Sequence, residues 1–125
     1  MPSIIEPINL GDLLKYEAPN LSSRDRATVA SGQTLALGTV VGVVTATSKL
    51  KAFDPAATDG TEIARGVIAN DVDAALADRD DGLLIARHAL VARSALVWPS
   101  GITAELKAVA EAQLRTIGIL VRDAA

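Results

Sequence analysis

The chain has 125 residues, half of them apolar, no Cys and a formal net charge of −3. That is the size of one ordinary domain with room for a real core; the apolar share excludes disorder throughout, and the missing Cys excludes disulfides and Cys-based metal sites. Charges of both signs are well mixed, which argues against a nucleic acid or an anionic membrane as partner.

Residues 1–20 read as an N-terminal arm ahead of a single β-rich domain over 21–125. Pro2, Pro7 and Pro19 punctuate the arm and disfavour helix in the residues before them. Yet it carries Ile4, Ile5, Ile8, Leu10, Leu13 and Leu14, aliphatics that want a surface to lie on. Two readings stand: a first strand packed on its own domain, or an arm that adds a strand to a partner's sheet edge. The start, Met1-Pro2-Ser3-Ile4-Ile5-Glu6, lacks the basic head and apolar run of a signal peptide. The longest weakly polar run, Thr34 to Ala46, is too short for a bilayer-spanning helix. The expectation is a protein kept in the cytosol, or in something assembled there.

Residues 24–30 form a plausible strand that ends at the Ser31-Gly32 turn. In Thr34 to Thr45, Thr and Val favour strand over helix. Gly38 and Gly42 within it mark bulges, bends or close backbone approach. Ser48-Lys49 is a turn, and Leu50 to Phe53 returns as the second strand of a bent ribbon. The loop Asp54 to Thr61 follows, then a strand from Ile63 to Ala69. Asp71 to Asp81 is an acidic loop with room for one helical turn. Leu83 to Arg93 reads as one long strand. Its alternation puts Leu84, Ala86, His88, Leu90 and Ala92 on one face. The other face is mixed, with Ile85, Arg87, Ala89, Val91 and Arg93, and is expected to meet solvent or another subunit. One helix is well marked, over 103–115. Thr103 is its N-cap, Glu105 suits the positive end of the helix dipole, and Gly118 lies just past its end. Ile117 to Val121 closes the chain as a strand. Aromatics are scarce, with one Phe, one Tyr and one Trp, so the packed layers are expected to be thin and completed by other subunits. Trp98, beside Pro99 at the start of the helix, is the expected structural anchor.

Catalytic chemistry finds little support. The only His, His88, sits mid-strand and reads as a partly buried packing residue rather than a general base. Ser94 and Ser100 lack a nucleophile-elbow context. One His and no Cys leave no zinc constellation. The aspartates 71, 73, 78, 80 and 81 fail the calcium-loop pattern, because the alternate positions before Gly82 hold Asp81, Arg79 and Ala77. No glycine-rich phosphate loop is present. No enzyme, cofactor or metal is expected.

Three blocks, in order, carry a family likeness. The first is Ala52-Phe53-Asp54, running to Thr58-Asp59-Gly60 and on to Gly66-Val67-Ile68-Ala69. The second is Leu96-Val97-Trp98-Pro99. The third is the helix from Thr103 to Arg115 with Ile117-Gly118-Ile119-Leu120-Val121 after it. Together they span roughly residues 30–122. In these blocks the chain resembles the head decoration proteins of tailed bacteriophages, of the phage lambda type. The resemblance implies a β-clip-like bent ribbon with a small helical element and no enzymatic activity. It implies a homotrimer on three-fold positions of an expanded icosahedral head, holding the shell of major capsid protein against the pressure of packaged DNA. It further implies that the arm docks on the shell, so Ile4, Ile5, Pro7, Ile8 and Leu10 become the expected capsid-binding residues and 2–14 the expected extended segment. The location implied is the outer surface of the virion, with assembly in the host cytoplasm. Two other readings remain beside it: a β-barrel accessory module of a phage tail or baseplate, and, more remotely, a small hydrolase built on His88.

Overall fold

The structure, a computed structural model, describes residues 10–19 and 23–123. It is mainly β with one main helix, as the sequence indicates. In chain order the elements are α1 (Leu10–Leu13), β1 (Leu14–Glu17), β2 (Arg24–Val29), β3 (Gln33–Leu35), β4 (Val40–Val43), β5 (Leu50–Ala52), β6 (Gly66–Ile68), β7 (Val72–Ala74), β8 (Arg79–Ile85), β9 (Ala89–Ala92), α2 (Ala104–Thr116) and β10 (Ile119–Arg122).

Five of the strands close into a barrel in the order β2-β5-β4-β6-β8. The expected Val-rich ribbon is its hairpin β4–β5, antiparallel with Val41 opposite Ala52 and Val43 opposite Leu50. The barrel shuts where β2 meets β5 in parallel, Val29 beside Leu50. A second sheet has the order β1-β9-β10, and β3 and β7 form a separate pair. β9 and β10 run parallel. Parallel neighbours need a long crossover, and α2 supplies it.

Period-two alternation sends successive side chains to opposite faces of a strand. Along β4, β6 and the end of β8 both faces are buried. Val29, Val41, Leu50, Ile68 and Leu84, one from each barrel strand, form the interior cluster, which Leu35, Val72 and Ala74 extend. Their chain neighbours Val40, Val67 and Ile85 face the other way, into a cluster with Leu13, Phe53, Val91, Ala110, Leu114 and Ile119. On that side the barrel wall is thus a layer between two cores, which is why Thr34 to Thr45 reads as a nearly continuous apolar run rather than an alternating one.

Three expectations change. Leu83 to Arg93 is not one strand: β8 ends at Ile85 and β9 begins at Ala89, because the chain leaves the barrel there for the second sheet. The acidic stretch 71–81 holds no helical turn; β7 and the start of β8 occupy it. In the arm, residues 10–13 are helical rather than extended, Leu13 is wholly buried, and β1 pairs with β9 of its own chain, Leu14 opposite Val91. The remainder of that arm, residues 1–9 and 20, lies outside the described residues.

The main helix holds closely to its sequence signals. Thr103 caps it, its hydroxyl accepting the Leu106 N–H at 3.2 Å. Gly118 turns the chain out of it at φ 86°. Gly38 and Gly42 have separate tasks. Gly38, at φ 97°, bends the chain into β4, and a Cβ there would stand 2.3 Å from the Ala95 carbonyl oxygen. At Gly42 a Cβ would stand 2.5 Å from Thr61 Cα, so its absence lets the 59–65 segment lie on the barrel.

Candidate functional site

The sequence-predicted site has two parts, and the structure describes one of them fully. Ile4, Ile5, Pro7 and Ile8 lie outside the described residues. Leu10 is half-buried and packs on the same cluster as Leu13. It therefore marks where the N-terminal segment joins the body of the domain.

Trp98 and Pro99 are half-buried at the other part. Trp98 meets Phe53 edge-to-face, with ring centroids 6.3 Å apart and planes at 78°, an arrangement favoured by the ring quadrupoles. The segment before it is stitched to the head of β4. The Val97 N–H donates to the Gly38 carbonyl at 2.9 Å, and the Val40 N–H donates to the Val97 carbonyl at 3.2 Å. Trp98 thus locks the Phe53 end of the ribbon to the start of α2. A cleft of about 210 Å³ beside it is lined by Gln33, Leu35, Val97, Trp98 and Pro99, among others.

The Asp54–Thr61 loop uses its polar groups on itself. Asp59 Oδ1 accepts from the Thr61 N–H at 3.1 Å and from its hydroxyl at 2.6 Å. These bonds hold the Asp59 carboxyl below its usual range. Asp54 Oδ1 accepts the Ala56 N–H at 3.0 Å. The loop's conspicuous carboxylates therefore shape turns. The acidic stretch behaves in part the same way: Asp71 accepts the Leu37 N–H at 2.8 Å, and Asp78 accepts the Ser31 N–H at 2.7 Å.

His88 is neither mid-strand nor partly buried. It is exposed in the β8–β9 turn with φ 51°. Its carbonyl accepts the Ala18 N–H at 3.0 Å. No Ser or carboxylate hydrogen-bonds its ring among the described residues, so the hydrolase arrangement is not assembled there. Among the described residues no cluster of His, Asp and Glu is placed to hold a metal ion, and no helix is long and apolar enough to cross a membrane.

The mixed face expected on 83–93 is also accounted for within the chain. Ile85, Ala89 and Val91 are buried. Arg87 grips Asp25 in a fork, at 3.0 and 2.6 Å, and these bonds lower the Asp25 pKa. Arg93 bonds Glu111 at 3.0 Å and Asp123 at 2.6 Å, which raises its own pKa. Sequence reasoning assigned these arginines to a possible neighbour because nothing local names a partner 18 or 62 residues away. A further half-buried group ties β1 to β2: Arg24 forks onto Glu17, Nε donating at 2.9 Å, and the wholly buried Ser23 donates to the same carboxylate. The Arg24 bonds are the main reason the Glu17 carboxyl sits below its ordinary value.

A family sequence model described as Bacteriophage lambda head decoration protein D matches residues 3–119. The chain belongs to that family. The match covers the first two blocks of the sequence likeness and the third as far as Ile119, together with most of the N-terminal segment. No curated protein matches the chain. Membership makes the chain a structural protein of the phage capsid, located on the virion head.

Proposed function

We propose that the chain is a cementing protein that binds as a homotrimer to the outside of the expanded icosahedral head. It sits at three-fold positions on the major capsid protein and braces the shell against packaged DNA. It carries out no chemistry, needs no cofactor, and engages neither nucleic acid nor membrane. The observation that carries this reading is the family match over residues 3–119.

In this reading Ile4, Ile5, Pro7 and Ile8 dock on the shell by adding backbone hydrogen bonds to a sheet edge while the aliphatics fill shallow pockets. Leu10 is the hinge point, packed on the domain rather than on the shell. Trp98 and Pro99 brace the domain and do not themselves bind. The β-clip-like description is retained for the hairpin β4–β5 and the segment that Trp98 fastens to it. Assembly takes place in the host cytoplasm.

The test is decoration of expanded heads that lack this protein, followed by sedimentation and electron microscopy. Protrusions at three-fold positions are expected. A variant lacking residues 2–8 should melt like the parent and bind heads much more weakly, because each buried Ile contributes roughly 1.5–3 kcal/mol before ordering costs. Normal decoration by that variant overturns the arm's role. Failure of the full chain to bind heads, with binding to tails or baseplates instead, overturns the whole reading in favour of an accessory module.

A further inference from the structure

We infer that, in the trimer proposed above and resting on that reading, each copy seats the tip of its β7–β8 turn in an apolar groove of the next copy. The groove lies between α2 and the segment from Ile63 to Arg65. Its volume is about 320 Å³, and Ile63, Ala64, Val109, Ala112 and Ile117 supply its apolar lining. Val109 is 52% exposed and Ile63 37%. The two walls are fastened together, since Gln113 Oε1 accepts the Ala64 N–H at 2.8 Å. The groove is therefore a built feature of the chain, presenting aliphatic surface that gains by leaving water.

The tip has the complementary shape. Leu76 is 100% exposed, with exposed Ala75 and Ala77 beside it. The strands behind it are anchored: Val72 and Ala74 are buried. Asp73 accepts the Ala75 N–H at 3.1 Å, and Asp78 bonds both Ser31 and Lys49. A firmly anchored turn thus holds an apolar knob out into solvent, where it does nothing for its own fold.

Charge selects a second copy as the occupant. The stretch from Asp71 to Asp81 carries five aspartates and one arginine, and Arg79 is already paired with Asp81. Asp73 and Asp80 are exposed and make no ion pair among the described residues. At the groove, Arg65 forms part of the rim and Arg115 stands three residues beyond Ala112 on α2; both are exposed and make no ion pair among the described residues. Two carboxylates are also close. Glu62 is bound to the Gly60 N–H at 2.8 Å, and Glu105 lies at the opposite end of the helix from Arg115. An acidic tip with an apolar point thus complements a basic-rimmed apolar groove elsewhere on the chain. Contacts between two different patches are heterologous, and repeated round a closed ring they satisfy every copy.

The chain has no Cys, so introduced thiols report cleanly. The double variant Leu76→Cys/Val109→Cys, treated with a short bismaleimide, is expected to give covalent dimers and trimers. Each single variant is expected to give none, and all three should melt like the parent because both positions are exposed. Sedimentation of the wild-type chain at micromolar concentration runs in parallel. Leu76→Asp is expected to shift the trimer to monomer. A wild-type chain that sediments as a monomer removes the trimer and this contact together. A wild-type trimer with an unlinked double variant, or with Leu76→Cys linking to itself, leaves the trimer standing and overturns this contact alone.

Discussion

Gly38 is a position where one added methyl group should do severe damage. The residue sits at φ 97°, and the new Cβ would meet the Ala95 carbonyl oxygen at 2.3 Å. Two costs add. Placing an L-residue in the left-handed region costs roughly 1–2 kcal/mol. Relieving a backbone clash in a packed region costs a further 1–3 kcal/mol or so. The clash cannot be relieved by a side-chain rotation, because the obstacle is main chain. Moving it pulls on the Gly38–Val97 bond and on the seat of Trp98. Gly38→Ala is therefore expected to destabilise the domain by about 2–5 kcal/mol. Unfolding entropy near 2.1 cal/mol/K per residue makes 1 kcal/mol worth about 4 °C for a chain of this length. Tm should fall by roughly 8–20 °C. Gly32→Ala is the control: it shares the positive φ, 89°, but has nothing within 4 Å of its Cβ. Its fall should be about 4–8 °C. Thermal melts followed by circular dichroism and by the fluorescence of the single Trp give both numbers. If the two variants melt alike, the close approach of Ala95 to Gly38 is not a feature of the folded protein, and the account of how Trp98 is held goes with it.

Leu13→Ala should cost about 2–5 kcal/mol in chemical denaturation, because the side chain is wholly buried; a loss under about 0.5 kcal/mol, the level of a surface change, would return residues 10–13 to the arm. Trp98→Ala removes a half-buried ring and is expected to cost about 2–3 kcal/mol, and a variant that melts like the parent would show the residue to be peripheral. Glu17 has a folded-state pKa below its ordinary 4.5. Its contribution is thus complete above that value and is lost as pH falls through the lower folded one. Glu17→Gln should flatten part of the acid-side decline in Tm, leaving the difference from wild type largest at neutral pH; an equal offset at every pH would refute the linkage.

Much of the architecture was legible from local signals. The α2 boundaries follow from Thr103, Glu105 and Gly118, because capping is decided by groups within one turn of the helix end. The β4–β5 hairpin follows from its Val and Thr content with a turn at Ser48-Lys49, and the two glycines Gly38 and Gly42 mark bends or close approaches, whose division between them only the packed structure sets. What stayed hidden depends on partners distant in sequence. Closure of the barrel rests on a meeting of Val29 with Leu50, which leaves no periodic trace. His88 takes a left-handed conformation with no glycine to announce it, because the chain must leave the barrel for the second sheet at that point. Arg87 and Arg93 looked free until Asp25, Glu111 and Asp123 were brought to them by the fold. Composition and order of blocks, then, determined a mainly β capsid protein of a recognisable family. Only the tertiary structure decided which aliphatics face which of the two cores, and which ones, Leu76 and Val109 among them, stay exposed. A strand buried on both faces and a strand awaiting a partner carry the same apolar pattern until the surrounding layers are in place.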